Sequence, residues 1–446
     1  MERVHGRSVR SVTSLLARLR QHAGFAVTFA WVAGARAVML GCSMLASVLI
    51  YRELAGLTPT GAGQFAIGMA SVRVLTASIG GAADLTVLRR VPVLRRTDLA
   101  AAYGVVRAAF LLRAGSILVV GLAALAGRHW IAGHLLHDST QAWLVGLVLA
   151  AASAELALRA VLAVFQATER FDRFVTYEAM FQGTRLSAVI GLIAAGWLAV
   201  GSVIGAYAAL GLACAALAAR RLPRRELLAT PLLTAAALRD AGHFFGWSLL
   251  AMALAAVNER MDLFLLSRFR GVEEVGIYGG VLTIALIPDF VGGLLATVLQ
   301  PRVVRLQQDG ALGGFGWRAL LLMLPPGLLA MALAVGFAEP IVALVLGPRY
   351  AAGAPAFALL AGGAITWLVL TPVPAALISL SAPRLTTLLT VVQLALVSGG
   401  GLLMIPRYGA VGAAAVVAGV RVTLALLITA LGRGLMARPG AAATTG

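Results

Sequence analysis

Residues 101–126, AAYGVVRAAFLLRAGSILVVGLAALA, carry two charged side chains in 26 positions. Crossing the hydrocarbon core of a bilayer as a helix takes ~20 apolar residues, and inside it only helices and closed barrels satisfy their own backbone. Comparable runs recur at roughly 25–50, 63–88, 101–126, 141–166, 174–198, 200–219, 244–266, 275–299, 317–338, 355–380, 385–405 and 410–432. The strand-length alternation that marks a membrane barrel is lacking. The sequence therefore predicts an all-α polytopic membrane protein with twelve transmembrane helices. Composition agrees, because 12% of the residues are charged against roughly 25% in a soluble domain.

The chain holds 36 basic residues, all arginine, against 18 acids, a net charge of +18. In a soluble protein that excess would suggest nucleic acid. Here the arginines sit between the apolar runs, and their placement follows the positive-inside rule. With the N-terminus in the cytoplasm, the inside connections carry Arg89, Arg90, Arg95, Arg96, Arg170 and Arg173, then RRLPRRE at 220–226. The outside connections carry few. No nucleic-acid partner is expected, and both termini are predicted to be cytoplasmic. Residues 1–23 are basic and partly amphipathic, which suggests a retained interfacial helix rather than a removed signal.

The longest internal connection divides the chain into six runs and six. The predicted organisation is a basic segment 1–23, a lobe at 24–219, a cytoplasmic linker at 220–243, a second lobe at 244–433 and a tail at 434–446. The halves echo each other: LIYRELAGLTPTGAGQF in the first resembles LLSRFRGVEEVGIY in the second. Two six-helix repeats with a site at their interface are a transporter architecture. No connection is long enough for a soluble catalytic domain, and no phosphate-binding Gly-rich loop or Cys/His metal cluster appears. An enzyme, a metal and an organic cofactor are therefore not expected.

Charges inside the predicted helices are the candidate functional groups, since each costs at least ~2.5–3.5 kcal/mol at a helix centre unless it faces protein or a wet cavity. Glu155 and Arg159 form an i, i+4 pair, read as a local ion pair, with Gln166 continuing the same face. Glu178, Gln182 and Arg185 align on another helix. Arg73, Thr76, Gly80 and Asp84 align on a third. Arg36, Arg73, Arg113 and Arg185 fall near mid-span in the first half with few local acids, and Arg260 occupies a comparable place in the second. A net-cationic cavity built from these five suits an anionic substrate group, because guanidinium forks match phosphate oxygens and stay charged.

Several longer strings, RMDLFLLSRFRGVEEVGIYGG, FAEPIVALVLGPRYAAGAPAFALLA, IPRYGAVGAAAV and FQATERFDRF, together resemble the Wzx-type polysaccharide-biosynthesis flippases. These belong to the multidrug/oligosaccharidyl-lipid/polysaccharide exporter superfamily. The resemblance covers nearly the whole chain but rests on soft Gly, Pro and aromatic punctuation. It implies two six-helix lobes around a central cavity in a bacterial cytoplasmic membrane. It also implies alternating-access export of an undecaprenyl-pyrophosphate-linked oligosaccharide, with membrane lipids and polysaccharide assembly proteins as partners. Coupling to H⁺ or Na⁺ is implied as well, with Glu259, Asp262 and Asp289 as candidates. A cation-coupled exporter of drugs or metabolites and a non-transporting scaffold are the alternatives.

One string compresses the question. In NERMD, residues 258–262, four polar or charged side chains fall within five positions of an apolar run. On a continuous helix Arg260 points about 100° from Glu259 and about 160° from Asp262. Arg260 is therefore expected to face the central cavity, and Asp262 to pair within the second lobe.

Overall fold

The computed structural model describes residues 34–58, 60–222, 227, 235–293, 295, 312–370 and 383–436, without side chains at 235–241, 312–317, 383–388 and 431–436. The expected segment 1–23, the middle of the linker and the tail beyond 436 lie outside the described residues. The first lobe contains α1 (Gly34–Leu57), α2 (Gly61–Leu94), α3 (Leu99–Ala126), α4 (Ala142–Ala167), α5 (Phe171–Ala194) and α6 (Val200–Ala219). In the second, α7 has two pieces, Ala235–Asn258 and Met261–Arg270, followed by α8 (Val272–Gly293), α9 (Leu312–Gly336) and α10 (Ala354–Leu370). Helices α11 and α12 form one run, Pro383–Met436, folded at Gly409. Among the described residues, nine stretches are long and apolar enough to span by themselves; one of them holds both α11 and α12, and α5 and α7 complete the twelve crossings. Polar side chains explain why α5 and α7 fall short: Glu178, Gln182 and Arg185 on one, the NERMD string on the other.

The ends of the helices follow local chemistry. Asp98 caps α3 by accepting from the Ala101 N–H at 2.9 Å. Helix α1 runs past its predicted end at 50 to Leu57, and stops only where Pro59 disfavours a helical residue before it. At Gly271 the chain turns from α7 into α8 with φ +91, a conformation that a side chain would strain.

The duplication is visible in three places. Helices α3 and α9, third in each lobe, bury 17% and 0% of their apolar windows and so present their flanks to lipid. Each is followed by a short helix, Arg128–Leu135 in one lobe and Ala338–Leu346 in the other, and then by a 3₁₀ turn. The third place is the contact between lobes, where α2 crosses α8. The two echoed sequences meet there: a Cβ on Gly63 would lie 1.8 Å from the Val272 carbonyl oxygen, and one on Gly276 would lie 2.8 Å from the Gly63 nitrogen. Backbone touches backbone, as small residues permit between helices in lipid.

Hydrogen bonds latch the lobes around this crossing. Tyr350 donates to the Tyr51 carbonyl at 2.7 Å, and Arg349 donates to that of Ala55. From the first lobe, His137 donates to the Ser267 carbonyl at 2.6 Å, while the Ser267 hydroxyl donates to Leu135 at 2.5 Å. The connection after α3 thus grips the end of α7, and the connection after α9 grips the end of α1. Tyr51, Leu54, Tyr278 and Tyr350 are buried in the core that fills this latched end.

At the opposite, arginine-rich end the contact between lobes is one-sided. The first piece of α7 leans on the first lobe: Phe245 is buried with Ala83, Val87 and Val105, and Arg89 and Arg90 each lie 5.6 Å from the Phe244 ring. The second piece packs mainly on its own lobe, where Leu265 approaches Gly401 on α11, while its far end carries the latch at Ser267.

Overpacking a tight contact costs about 1–3 kcal/mol. Gly63→Ala should therefore lower the thermal unfolding midpoint of the purified protein in detergent. Gly205→Ala, at a site with no neighbour within 4 Å of the added carbon, should leave it unchanged or slightly raised.

Candidate functional site

The charged side chains of the first lobe and of α7 gather around a break in each of two helices. Helix α2 contains a π-turn over Thr76–Gly80. The extra residue shifts the helical register by about 100°, so the predicted stripe from Arg73 to Asp84 is split. Arg73 is exposed, facing the space between lobes, whereas Asp84 turns into the first lobe. Helix α7 breaks at Glu259–Arg260, where Arg260 has φ −130 and ψ 6 and donates its N–H back to Val257 at 3.0 Å.

That second break gives each residue of NERMD a separate direction. Glu259 is exposed. Arg260 is half-buried, and its Nε has no hydrogen-bond partner among the described residues. Asp262 is buried: its Oδ2 accepts from the Tyr278 hydroxyl at 2.6 Å, and its Oδ1 accepts from the Leu263 N–H at 2.9 Å. Arg73 lies within electrostatic reach of Arg260 and Glu259 on α7, and of Arg159 and Glu155 on α4. Arg73 of the first lobe and Arg260 of the second are thus electrostatic neighbours across the boundary between lobes.

The remaining candidates are placed differently. Arg113 is a correction: it does not face a cavity but is buried with 6% of its side chain exposed, paired to Asp84. It also donates to the Leu156 carbonyl at 3.1 Å and to that of Gly80, where the π-turn ends, at 3.0 Å. It ties α3 to α2 and α4. Arg185 lies 3.9 Å from the centre of the Tyr207 ring and 5.3 Å from that of Phe181, stacked within the first lobe. Asp289 is not an open cation site, because it pairs with Arg421 of α12 at 2.8 Å. Arg36 sits 6.0 Å from the Phe174 ring at the rim of a separate cavity inside the first lobe.

That cavity contains groups which sequence reasoning set aside. Glu155 and Arg159 do form the expected i, i+4 pair, at 2.9 Å. Both also line the cavity, together with Asp84, Glu178 and Gln182. The signal was present in the aligned stripes on α4 and α5, but it was read as a net-cationic surface rather than a mixed one.

No family model matches the chain, and no curated protein matches it. Solved structures do. A lipid II flippase, MurJ, in an inward closed conformation superposes with TM-score 0.73 at 11% identity, covering 90% of this chain and 87% of that one. An inward-facing multidrug resistance transporter of the MATE family and MOP superfamily gives TM-score 0.62 at 14% identity, over 91% of this chain and 98% of the other. A Vibrio cholerae MATE transporter gives 0.60 at 15% identity over 92% and 98%. The chain has the two-lobed, twelve-helix fold of the multidrug/oligosaccharidyl-lipid/polysaccharide exporters, and it is a multi-pass membrane protein.

Breaking the Arg113–Asp84 pair should be costly, because the surviving charge stays buried; such losses run to about 3–5 kcal/mol. Asp84→Ala should sharply reduce the amount of folded protein in membranes. Asp84→Ala combined with Arg113→Met should recover much of it. Quantitative detection of the membrane-inserted chain separates the two outcomes.

Proposed function

We propose that this chain is a flippase that turns a lipid-linked, anionic oligosaccharide across a bacterial cytoplasmic membrane by alternating access, for surface polysaccharide assembly. The observation that carries this reading is the pair Arg73 and Arg260, one from each lobe, within electrostatic reach of each other. A diphosphate between them would be held by both lobes at once. Guanidinium donors suit its oxygens, and such charge-assisted bonds strengthen away from bulk water. The undecaprenyl-pyrophosphate carrier and the Wzx-type assignment belong to this proposal, and the fold shared with a lipid II flippase supports it.

In this reading the latched end faces outward, and the arginine-rich end, with both termini, faces the cytoplasm, as the positive-inside rule favours. The moving units are residues 24–219 and 244–433, joined by the linker 220–243. Of the three carboxylates considered for H⁺ or Na⁺ coupling, Asp262 and Asp289 already have partners within the second lobe. Glu259, exposed beside Arg73 and Arg260, is the one we assign to coupling.

Losing a charge-assisted hydrogen bond costs about 1.5–3 kcal/mol, or roughly 10- to 100-fold in affinity. Arg73→Ala and Arg260→Ala should each reduce surface glycan and cause lipid-linked oligosaccharide to accumulate in the inner leaflet, at normal protein abundance. Normal export by both variants would overturn the assignment.

A further inference from the structure

Between α1, α2, α4 and α5, in the arginine-rich half of the first lobe, lies a cavity of 170 Å³. It extends along α4 from Glu155 to Gln166, about 16 Å of helix. Room for several waters in so polar a space means that the cavity is wet when empty.

Its lining is mixed in a particular way. Asp84, Glu155 and Glu178 supply carboxylates, and Arg36 and Arg159 supply guanidinium groups. The cationic partner of Asp84, Arg113, stands just behind. The balance is close to neutral, so neither a plain anion nor a plain cation is matched. Gln166 and Gln182 add amides, which both donate and accept, and Phe174 and Phe181 add ring surface. Glu178 makes no hydrogen bond or ion pair among the described residues. Its carboxylate is thus available as an acceptor inside the cavity.

We propose that this cavity is a sugar subsite, which takes the ring nearest the carrier while Arg73 and Arg260 hold the pyrophosphate. The placement rests on the flippase reading above. A sugar ring presents hydroxyls that donate to carboxylates and accept from guanidinium and amide N–H groups. It also has an apolar face that packs on an aromatic ring. Arg159 links the two places, since it lines the cavity and is also an electrostatic neighbour of Arg73. Residues of the cavity, rather than the central arginines, then decide which sugar is accepted.

The test uses the full chain in nanodiscs and two probes: free N-acetylhexosamine and hexose, followed by saturation-transfer NMR, and undecaprenyl pyrophosphate without sugars, followed by tryptophan quenching. Glu178→Ala and Phe181→Leu should weaken sugar binding at least tenfold and leave the sugarless carrier unaffected, with Glu178→Gln intermediate. Arg73→Ala should do the reverse. If Glu178→Ala does not fold, Gln182→Ala with Phe181→Leu makes the same comparison. Sugar binding that is absent, or equal in all the cavity variants, overturns the subsite. Sugar binding that responds to the cavity variants, in a chain that ignores the carrier, upholds the subsite and sinks the flippase reading instead.

Discussion

The crossing of α2 over α8 is the contact on which the two-lobed arrangement depends. Lipid gives helices no hydrophobic reason to associate, so they hold together by close packing and by hydrogen bonds. Gly63 and Gly276 supply the first by bringing backbone against backbone. The latches supply the second, and they depend on it: Tyr350 reaches the Tyr51 carbonyl, and His137 that of Ser267, only while α2 and α8 lie this close. Each latch uses a backbone carbonyl near a helix C-terminus as acceptor. The Ser267 carbonyl also accepts from the Gly271 N–H at 3.2 Å, so when the lobes part it keeps a bond within its own chain segment and the helix need not unravel. The closure is tight in shape and modest in bond strength, which is what a reversible gate requires.

A second constraint is the cost of charge in the membrane, and the chain meets it in three ways. Some charges are consumed by structure: Arg113 with Asp84, and Arg421 with Asp289. Others are laid on aromatic faces, as Arg185 is on Tyr207. Arg73 and Arg260 stand beside the helix breaks, and Arg159 and Glu178 line the cavity of the first lobe. A wet cavity lowers the cost of each charge that lines it.

The fold was legible because apolar run length is a one-dimensional property, and the echo between LIYRELAGLTPTGAGQF and LLSRFRGVEEVGIY is too. The equivalent glycines of those strings touch in the structure. The site was only partly legible. Arg73 and Arg260 stand out in the sequence by depth and charge alone, and the structure brings them within electrostatic reach of each other. Arg113 was misassigned because its partner Asp84 lies on another helix, and spacing along one helix cannot show that pair. The stripe from Arg73 to Asp84 failed for a different reason: the π-turn at Thr76–Gly80 has no sequence mark and rotates everything after it. For NERMD, Asp262 pairs within the second lobe as expected, although the helical wheel behind that expectation does not apply across a broken helix.

That break has a mechanical meaning. The first piece of α7 packs on the first lobe through Phe245, and the second packs on its own lobe through Leu265 before it reaches the latch at Ser267. Glu259 and Arg260 form the joint between them. In the proposed reading a group bound to Arg260 would pull on the joint itself, and any rotation of the first piece relative to the second would alter where Arg260 points. Binding and closure share one residue, so a headgroup drawn toward Arg73 by one lobe would bias the angle at which the other lobe is held. Just beyond the break, Asp262 ties the second piece to Tyr278 of α8. The polar cluster that looked too costly for a membrane helix is thereby divided into an anchor and a movable contact.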